Sequence, residues 1–172
     1  VLNASPFHVH KHLERFEVAR QRVAETGLPL IYVNTVGGQD ELVFDGASFA
    51  LAGDGVLTAQ FPAFTAGLHF VELTDGQPSG DMHPQPDMEA AVYQALVMGV
   101  HDYVGKNGFP SVIVGSSGGI DSALTLAIAV DAIGAERVQA VMMPSQFTAD
   151  MSQEDAEQLA IATCTTGGLL AA

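Results

Sequence analysis

Residues 115–122 impose the strongest constraint on the fold. They read Gly-Ser-Ser-Gly-Gly-Ile-Asp-Ser, follow a β-branched run at 111–114 and lead into an Ala/Leu/Ile-rich run at 123–133. This order predicts a strand, a glycine-rich loop and a helix, and a second apolar strand follows at 137–143. The result is a βαβ unit with a right-handed parallel crossover, whose apolar strands indicate burial on both faces.

A loop of this kind can bind phosphate. Its backbone N–H groups and the positive end of the following helix dipole converge on one point. The loop lacks the Gly-Lys-Ser/Thr ending of a Walker A loop, and its glycines do not fit Gly-x-Gly-x-x-Gly. We therefore interpret it as the pyrophosphate-binding loop of an ATP-using enzyme.

Each residue type in the loop has a place in that chemistry. Gly118 and Gly119 let the backbone approach phosphate closely, while Ser117 and Ser122 add hydroxyl donors. The carboxylate of Asp121 makes electrostatic sense beside a triphosphate only with a cation between them, so we assign it to Mg²⁺. The alternative is that Asp121 only caps the helix and the glycines only turn the chain.

Composition excludes several other classes of protein. The chain has 172 residues, of which 48% are hydrophobic and 15% charged, as in a buried α/β protein of one or two small domains. Six basic residues against 20 acidic ones give a formal charge of -14, which should repel nucleic acid. No signal peptide or apolar run of membrane-spanning length is present, so we expect a cytoplasmic protein without a membrane partner. The single cysteine, Cys164, excludes an internal disulfide.

The first part of the chain predicts one helix, one strand and a meander. Helical spacing covers residues 8–26 and ends at Gly27, and an apolar strand follows at 28–34. We expect a turn at 37–40. The dipeptide Asp45-Gly46 then predicts a hairpin between strands 41–44 and 47–52, followed by a turn and strand 56–61.

The second part begins after a stretch rich in Pro, Gly and Asp. Residues 74–86 have no hydrophobic period, so we predict a linker there. Asp87 is expected to cap a helix at 87–106, and Ser152 with Asp155 indicates the start of a later helix. The last residues, 161–172, show no clear pattern of a helix or strand.

Two groups of motifs carry a resemblance to a known family. Ser-Gly-Gly-Ile-Asp-Ser resembles the signature of the PP-loop ATP pyrophosphatases. The segments 87–109 and 141–156, with Val-Met-Met-Pro-Ser at 141–145, resemble the synthetase domain of NAD synthetases. Residues 3–7, 26–34 and 39–46 resemble the C-terminal half of a nitrilase-type glutaminase domain. Together they are similar to the glutamine-dependent NAD synthetases, a resemblance that covers about residues 1–160.

The resemblance implies an architecture. The fold would be α/β: the C-terminal part of a nitrilase-like α/β/β/α sandwich, then the start of a Rossmann-like parallel α/β domain of the adenine nucleotide α-hydrolase type. The implied domains are the C-terminal half of the glutaminase at 1–74, a linker at 75–86 and the N-terminal part of the synthetase at 87–172. We expect the chain to be a piece of a longer protein.

The resemblance also implies a reaction. ATP, with Mg²⁺, would adenylylate deamido-NAD and release pyrophosphate. Ammonia released from glutamine would then displace AMP to give NAD. Alternatives are another PP-loop amidotransferase or thiolase, or an inactive nucleotide-binding module. We expect a homo-oligomer. We also expect no synthetase activity from this polypeptide alone, because the later segments of the family's Mg²⁺ and deamido-NAD sites are not matched.

Site residues carry over by position. Ser5 and Lys11 correspond to the residues that hold glutamine, although without the family they would be a cap and a solvated charge. The glutaminase Cys, Glu and Lys belong upstream, so no catalytic residue is assigned in this chain. ATP binding is assigned to eight consecutive residues, and Asp121 is also the metal ligand: Gly115, Ser116, Ser117, Gly118, Gly119, Ile120, Asp121 and Ser122.

Weaker candidates have simpler explanations. On a helix, His8 and His12 would share a face and His10 would not, so a metal site is disfavoured against exposed or pocket-lining histidines. The acidic residues of the predicted hairpin are expected to form a solvated turn rather than an acid/base group, because alternate residues face apart; these are Asp40, Glu41 and Asp45. Met142 and Met143 are expected in the core of the strand.

Overall fold

The computed structural model describes residues 1–142, 150–163 and 170–171. The chain divides into two compact units, Val1–Gly99 and Val100–Ala172. Helix α2, Met88–Lys106, crosses from one unit into the other. The Asp87 carboxylate accepts a hydrogen bond from the N–H of Ala90 at 2.9 Å, so the predicted cap is confirmed.

A four-stranded sheet in the order β1-β2-β5-β6 forms the centre of the first unit. The central pair, β2 and β5, is antiparallel, as is β5 with β6, whereas β1 runs parallel to β2. Parallel neighbours need a crossover, which helix α1 supplies. These elements are β1 Leu2–Asn3, α1 Lys11–Thr26, β2 Leu30–Asn34, β5 Phe49–Leu51 and β6 Leu57–Gln60.

Helix α1 packs its apolar face on this sheet. Gly27 ends the helix with φ 66°, a left-handed conformation that glycine adopts without strain, as the sequence predicts. Tyr32 stacks on Phe49, with ring centroids 4.9 Å apart. The core between helix and sheet consists of buried Ala19, Val23, Tyr32, Phe49 and Leu51.

The prediction of a hairpin turn at Asp45-Gly46 was wrong. The hairpin instead joins β3, Val36–Gln39, to β4, Leu42–Asp45, and turns at Asp40 with φ 52°. The predicted turn at 37–40 is therefore mostly strand. Asp45 ends β4 in the interior, 4% exposed, because its carboxylate pairs with a buried arginine. That pairing outweighs the local turn preference of the dipeptide, and β5 pairs with β2 and β6 instead.

The stretch 75–86, which was predicted to be a linker, contains one strand of a hairpin. Strands β7, Val71–Thr74, and β8, Gln77–Gly80, form a hairpin. Asp75 and Gly76 both have positive φ, 51° and 77°, the geometry that matches the strand twist in two-residue turns. The backbone of residues 81–83 then continues the pairing along β6, since Gln60 N–H donates to Asp81 O and His83 N–H to Gln60 O. The turn residues and the backbone hydrogen bonds give this stretch regular structure although its sequence has no hydrophobic period.

The second unit contains the predicted βαβ unit. Strand β9, Val112–Gly115, is parallel to β10, Val138–Met142, and helix α3, Ile120–Ile133, connects them through a short 3₁₀ turn. This prediction is confirmed. Helix α4, Asp150–Thr163, is the later helix indicated by the sequence, and strand β11, Leu170–Ala171, pairs parallel with β10 in a stretch for which no pattern was found. Buried residues of this unit include Leu126, Ile128, Ala129, Val138, Ala140, Met142, Ala156 and Ala160.

None of the helices in the described residues is long and apolar enough to span a bilayer.

Candidate functional site

The phosphate-loop candidate lies between β9 and α3. Gly115 is the last residue of β9, and the N–H of Ser116 donates to Val141 O on β10 at 2.9 Å, which ties the start of the loop to the neighbouring strand. Gly119 is the N-cap of α3, and no side chain caps it. Since the first N–H groups of a helix have no intrahelical acceptor, those of residues 120–122 are free to face an anion.

Two serine hydroxyls hold the shape of the loop. The N–H of Ser117 donates to Ser122 Oγ at 3.2 Å, and Ser122 Oγ donates to Gly119 O at 2.9 Å. The two hydroxyl oxygens are 3.2 Å apart, and the N–H of Gly119 approaches Ser117 Oγ at 3.3 Å. The loop is therefore preorganised by its own hydroxyls, whose predicted role was only to bind the ligand.

Gly118 has a conformation that requires glycine. Its φ is 79°, and a Cβ built on it would overlap the backbone carbonyl of Ser152 at the start of α4. A side chain is therefore excluded on two grounds, the left-handed backbone and the close approach of a second helix. Both grounds are independent of any ligand.

Asp121 is exposed in the first turn of α3. The N-cap residue of α3 is a glycine without a side chain, and Asp121 lies in the first turn, where a carboxylate also suits the helix dipole. Thr125 Oγ1 donates to the carbonyl oxygen of Asp121 at 2.9 Å and leaves the carboxylate available. Mg²⁺ is commonly held by one or two carboxylates plus substrate phosphates, so this donor set fits the ion when a triphosphate is present.

One residue of the loop is unusual. Ser116 is 5% exposed, and its Oγ has no hydrogen-bond partner in the described residues. Its N–H is also occupied by Val141 O. Ser116 therefore offers an incoming phosphate neither a hydroxyl nor an amide, unlike Ser117 and Ser122.

The two residues predicted to hold glutamine line one cavity in the first unit. Ser5 and Lys11 face a space of about 340 Å³ between the start of the chain, α1 and β2. Lys11 forms an exposed ion pair with Glu14 at 2.7 Å, which holds the pKa of the Glu14 carboxyl below its ordinary value, first through the hydrogen bond and then through the charge of Lys11. The remaining lining residues are Val1, Asn3, Arg15, Val18, Ala19, Arg22, Leu30 and Tyr32.

Arg15 joins this cavity to the interior, a role that was not predicted from the sequence. Its Nη1 donates to Asp45 Oδ1 at 2.8 Å and Oδ2 at 2.9 Å, and its Nη2 donates to the carbonyl oxygens of Ser5 and Pro6 at 2.9 Å each. Its Nε donates to Ser5 Oγ at 3.0 Å. The helical pattern of residues 8–26 places Arg15 between apolar positions, and a charged residue there was the available signal.

Asn34 completes the network. Its Oδ1 accepts the N–H of Ser5 at 2.8 Å, and its Nδ2 donates to Ser5 O at 3.1 Å and to Asp45 Oδ1 at 3.5 Å. Ser5 is therefore fixed through its N–H, carbonyl and hydroxyl groups. The expectation that Asp45 belongs to a solvated turn was wrong, because it is the buried counterion of Arg15.

The histidines do not have the arrangement considered for a metal site. Helix α1 begins at Lys11, so His8 and His10 precede it and the helical face shared by His8 and His12 does not exist. No cluster of three His, Cys, Asp or Glu side chains suited to a metal ion occurs in the described part of the chain. Met143, the rest of the Met-Pro-Ser motif, Thr148 and Cys164 lie outside the described residues.

Comparison with known proteins shows similarity to one group of enzymes. Residues 92–165 match the family model described as NAD synthase. Over 163 residues, 93% of this chain, the sequence is 48% identical to the glutamine-dependent NAD(+) synthetase of Acinetobacter baylyi. The chain is a homologue of glutamine-dependent NAD(+) synthetases. The enzyme of Rhodobacter capsulatus carrying the same name is also 48% identical, over 166 residues. The chain spans 30% of the length of each of these two synthetases.

Solved structures of synthetases give the same result. The glutamine-dependent NAD+ synthetase of Acinetobacter baumannii, in complex with adenosine diphosphate, matches 99% of this chain with a TM-score of 0.91 and 46% identity, over 34% of its own chain. A synthetase from Cytophaga hutchinsonii matches 99% of this chain with a TM-score of 0.73 at 17% identity, over 35% of its own chain, and so shows the fold alone. The mixed α/β fold is therefore that of a segment of these synthetases.

Proposed function

We propose that the protein containing this chain makes NAD from deamido-NAD, with ATP as energy source and glutamine as nitrogen donor. ATP adenylylates the substrate carboxylate, and ammonia from glutamine displaces AMP. Pyrophosphate leaves in the adenylylation step, and the hydrolysis of glutamine leaves glutamate. In support, the chain is similar over 93% of its length to a glutamine-dependent NAD(+) synthetase and carries two separate candidate sites that fit two of these substrates.

The β9–α3 loop is the observation that carries the proposal. Its uncapped helix N-terminus, the glycine backbone at 118–119 and the exposed Asp121 together suit a magnesium-bound polyphosphate. The A. baumannii structure contains adenosine diphosphate, which supports a nucleotide site in its relatives. Each hydrogen bond to a charged phosphate oxygen stabilises the complex by roughly 1.5 to 3 kcal/mol, enough in sum to overcome repulsion from an acidic surface.

Asp121 is the residue proposed to hold Mg²⁺. The ion, when bound with the nucleotide, would neutralise phosphate charge that the acidic chain otherwise repels. The residues of this chain contribute the rest: amide donors from Gly118 and residues 120–122 orient the phosphate chain, and Ser117 and Ser122 keep the loop in its binding shape.

The first unit is proposed to belong to the glutaminase. Ser5 and Lys11 would bind glutamine in their shared cavity, where the ammonium of Lys11 suits its carboxylate and the Ser5 hydroxyl suits a polar group. We propose a nitrilase-like sandwich for 1–74 and a Rossmann-like synthetase domain for 87–172. A cytoplasmic homo-oligomer is part of the same proposal.

Calorimetry with the full-length protein tests the nucleotide site. Asp121→Ala should weaken Mg-ATP binding at least tenfold, because Mg²⁺ then loses a protein ligand and compensates the phosphate charge less effectively. Asp131→Ala provides the matched control, since Asp131 is an exposed aspartate on the same helix about 15 Å further along its axis at 1.5 Å per residue. Equal Mg-ATP affinity of wild type and Asp121→Ala would refute the metal assignment.

A further inference from the structure

The guanidinium of Arg15 uses all of its hydrogen-bonding capacity on three neighbours. Its five N–H donors match five accepting contacts: two to the Asp45 carboxylate, two to the carbonyl oxygens of Ser5 and Pro6, and one to Ser5 Oγ. Arg15 and Asp45 are 7% and 4% exposed. A saturated, desolvated guanidinium cannot itself bind a ligand, so its effect must pass through its neighbours.

The bond to Ser5 Oγ fixes what that hydroxyl can do. A serine hydroxyl has one O–H donor and two acceptor lone pairs, and Arg15 Nε–H occupies one of the lone pairs. Because arginine has no acceptor, the Ser5 proton cannot be directed toward it. Among the described residues, no acceptor receives that proton, and Ser5 lies in the wall of the 340 Å³ cavity.

From this geometry we propose that Arg15 is a positioning residue for glutamine, which holds the Ser5 hydroxyl as a donor directed into the cavity. Asp45 holds Arg15, and Asn34 holds the backbone of Ser5. The inference rests on the proposed glutamine role of Ser5. It also accounts for a buried ion pair, an arrangement that often stabilises a fold no better than apolar residues of the same size.

A double-mutant cycle in the full-length enzyme tests the proposal. Arg15→Lys keeps a positive charge for Asp45 and removes the planar fork that reaches Ser5. We expect Arg15→Lys to raise the KM for glutamine about tenfold, the effect of roughly 1.4 kcal/mol. Ser5→Ala should raise it by at least as much. In the Ser5→Ala background, Arg15→Lys should change the KM less than about twofold, because its effect acts through the missing hydroxyl.

Controls separate positioning from folding. Circular dichroism and thermal denaturation report whether each variant is folded, and synthesis of NAD from added ammonia reports whether the synthetase part is intact. Arg20→Lys makes the same chemical change at an exposed position of the same helix. Arg20→Lys should leave the glutamine KM unchanged. If Arg15→Lys does not fold, Asp45→Asn replaces it in the same cycle, since it weakens the support of Arg15 at nearly constant volume.

The outcomes are distinguishable. Additive effects of Arg15→Lys and Ser5→Ala on the glutamine KM would overturn the positioning role while leaving the proposed function in place. An unchanged KM in Ser5→Ala would overturn the glutamine role of Ser5, and the role of Arg15 with it. A KM raised by both single variants and no further by the double variant supports the proposal.

Discussion

Arg15 Nη1 lies 2.8 Å from Asp45 Oδ1 and 2.9 Å from Asp45 Oδ2, and both side chains are 5% exposed. The two residues come from α1 and the end of β4, 30 positions apart. Burial removes both charges from water, so each depends on the other for compensation. This pair, rather than a local turn signal, determines how the chain runs at Asp45-Gly46.

Removal of one partner should therefore be far more costly than removal of both. We expect Asp45→Ala to lower the free energy of unfolding by about 3–5 kcal/mol, because it leaves a buried guanidinium without a counterion. The double variant Arg15→Met with Asp45→Leu should lose less free energy of unfolding than Asp45→Ala does. Urea denaturation measures both, and Glu25→Ala, which breaks the exposed Arg22–Glu25 pair, should stay within about 1 kcal/mol. A double variant less stable than Asp45→Ala would contradict this account.

Parts of the fold that depend on local sequence patterns could be predicted, and parts that depend on contacts between distant residues could not. The βαβ unit and the caps at Gly27 and Asp87 follow from local periodicity and residue type, and the structure contains them. The predicted hairpin positions were wrong because long-range pairing determines where the chain turns. The Arg15–Asp45 pair overrides one turn signal, and pairing of residues 81–83 with β6 gives structure to a stretch without a hydrophobic period.

The candidate sites divide in the same way. The loop at 115–122 could be predicted as a phosphate site because its residues are contiguous, whereas Ser5 and Lys11 were predicted as glutamine ligands only through the family resemblance. Arg15, Asn34 and Asp45 were missed because their role depends on contacts across the fold that no spacing rule encodes. A charged residue on the buried stripe of α1 was the one local sign.

Gly118 and Gly105 should respond in opposite ways to alanine. At Gly118, with φ 79° and the Ser152 backbone adjacent, Gly118→Ala should lower the free energy of unfolding by more than about 1 kcal/mol and weaken Mg-ATP binding. Gly105 lies in α2, where an added Cβ would have no neighbour within 4 Å. Gly105→Ala should therefore raise the free energy of unfolding by about 0.5–1 kcal/mol. Denaturation and calorimetry on the full-length protein measure both. A harmless Gly118→Ala would show that the loop tolerates a side chain.

Ser116 and Ser122 form a second contrast within the loop. Ser116→Ala removes a buried hydroxyl that has no partner among the described residues, so the free energy of unfolding should stay the same or rise by up to about 1 kcal/mol. Ser122→Ala removes the acceptor for Ser117 N–H and the donor to Gly119 O, and should lower it by about 1 kcal/mol. Thermal denaturation of the two variants compares them directly. Equal losses would mean that Ser116 Oγ has a partner in the folded protein.

The last prediction concerns the Lys11–Glu14 pair at the rim of the cavity that Ser5 and Lys11 line. Its hydrogen bond and charge lower the pKa of the Glu14 carboxyl from an ordinary 4.5. A carboxyl with a lowered pKa contributes stability that is present above its unfolded pKa and is lost as pH falls through the folded value. NMR titration of labelled glutamates should show the pKa of Glu14 rising toward 4.5 in Lys11→Met, while Arg20→Met leaves it unchanged. An unchanged pKa in Lys11→Met would mean that the pair does not persist in solution, and that Lys11 is already free to meet a substrate carboxylate.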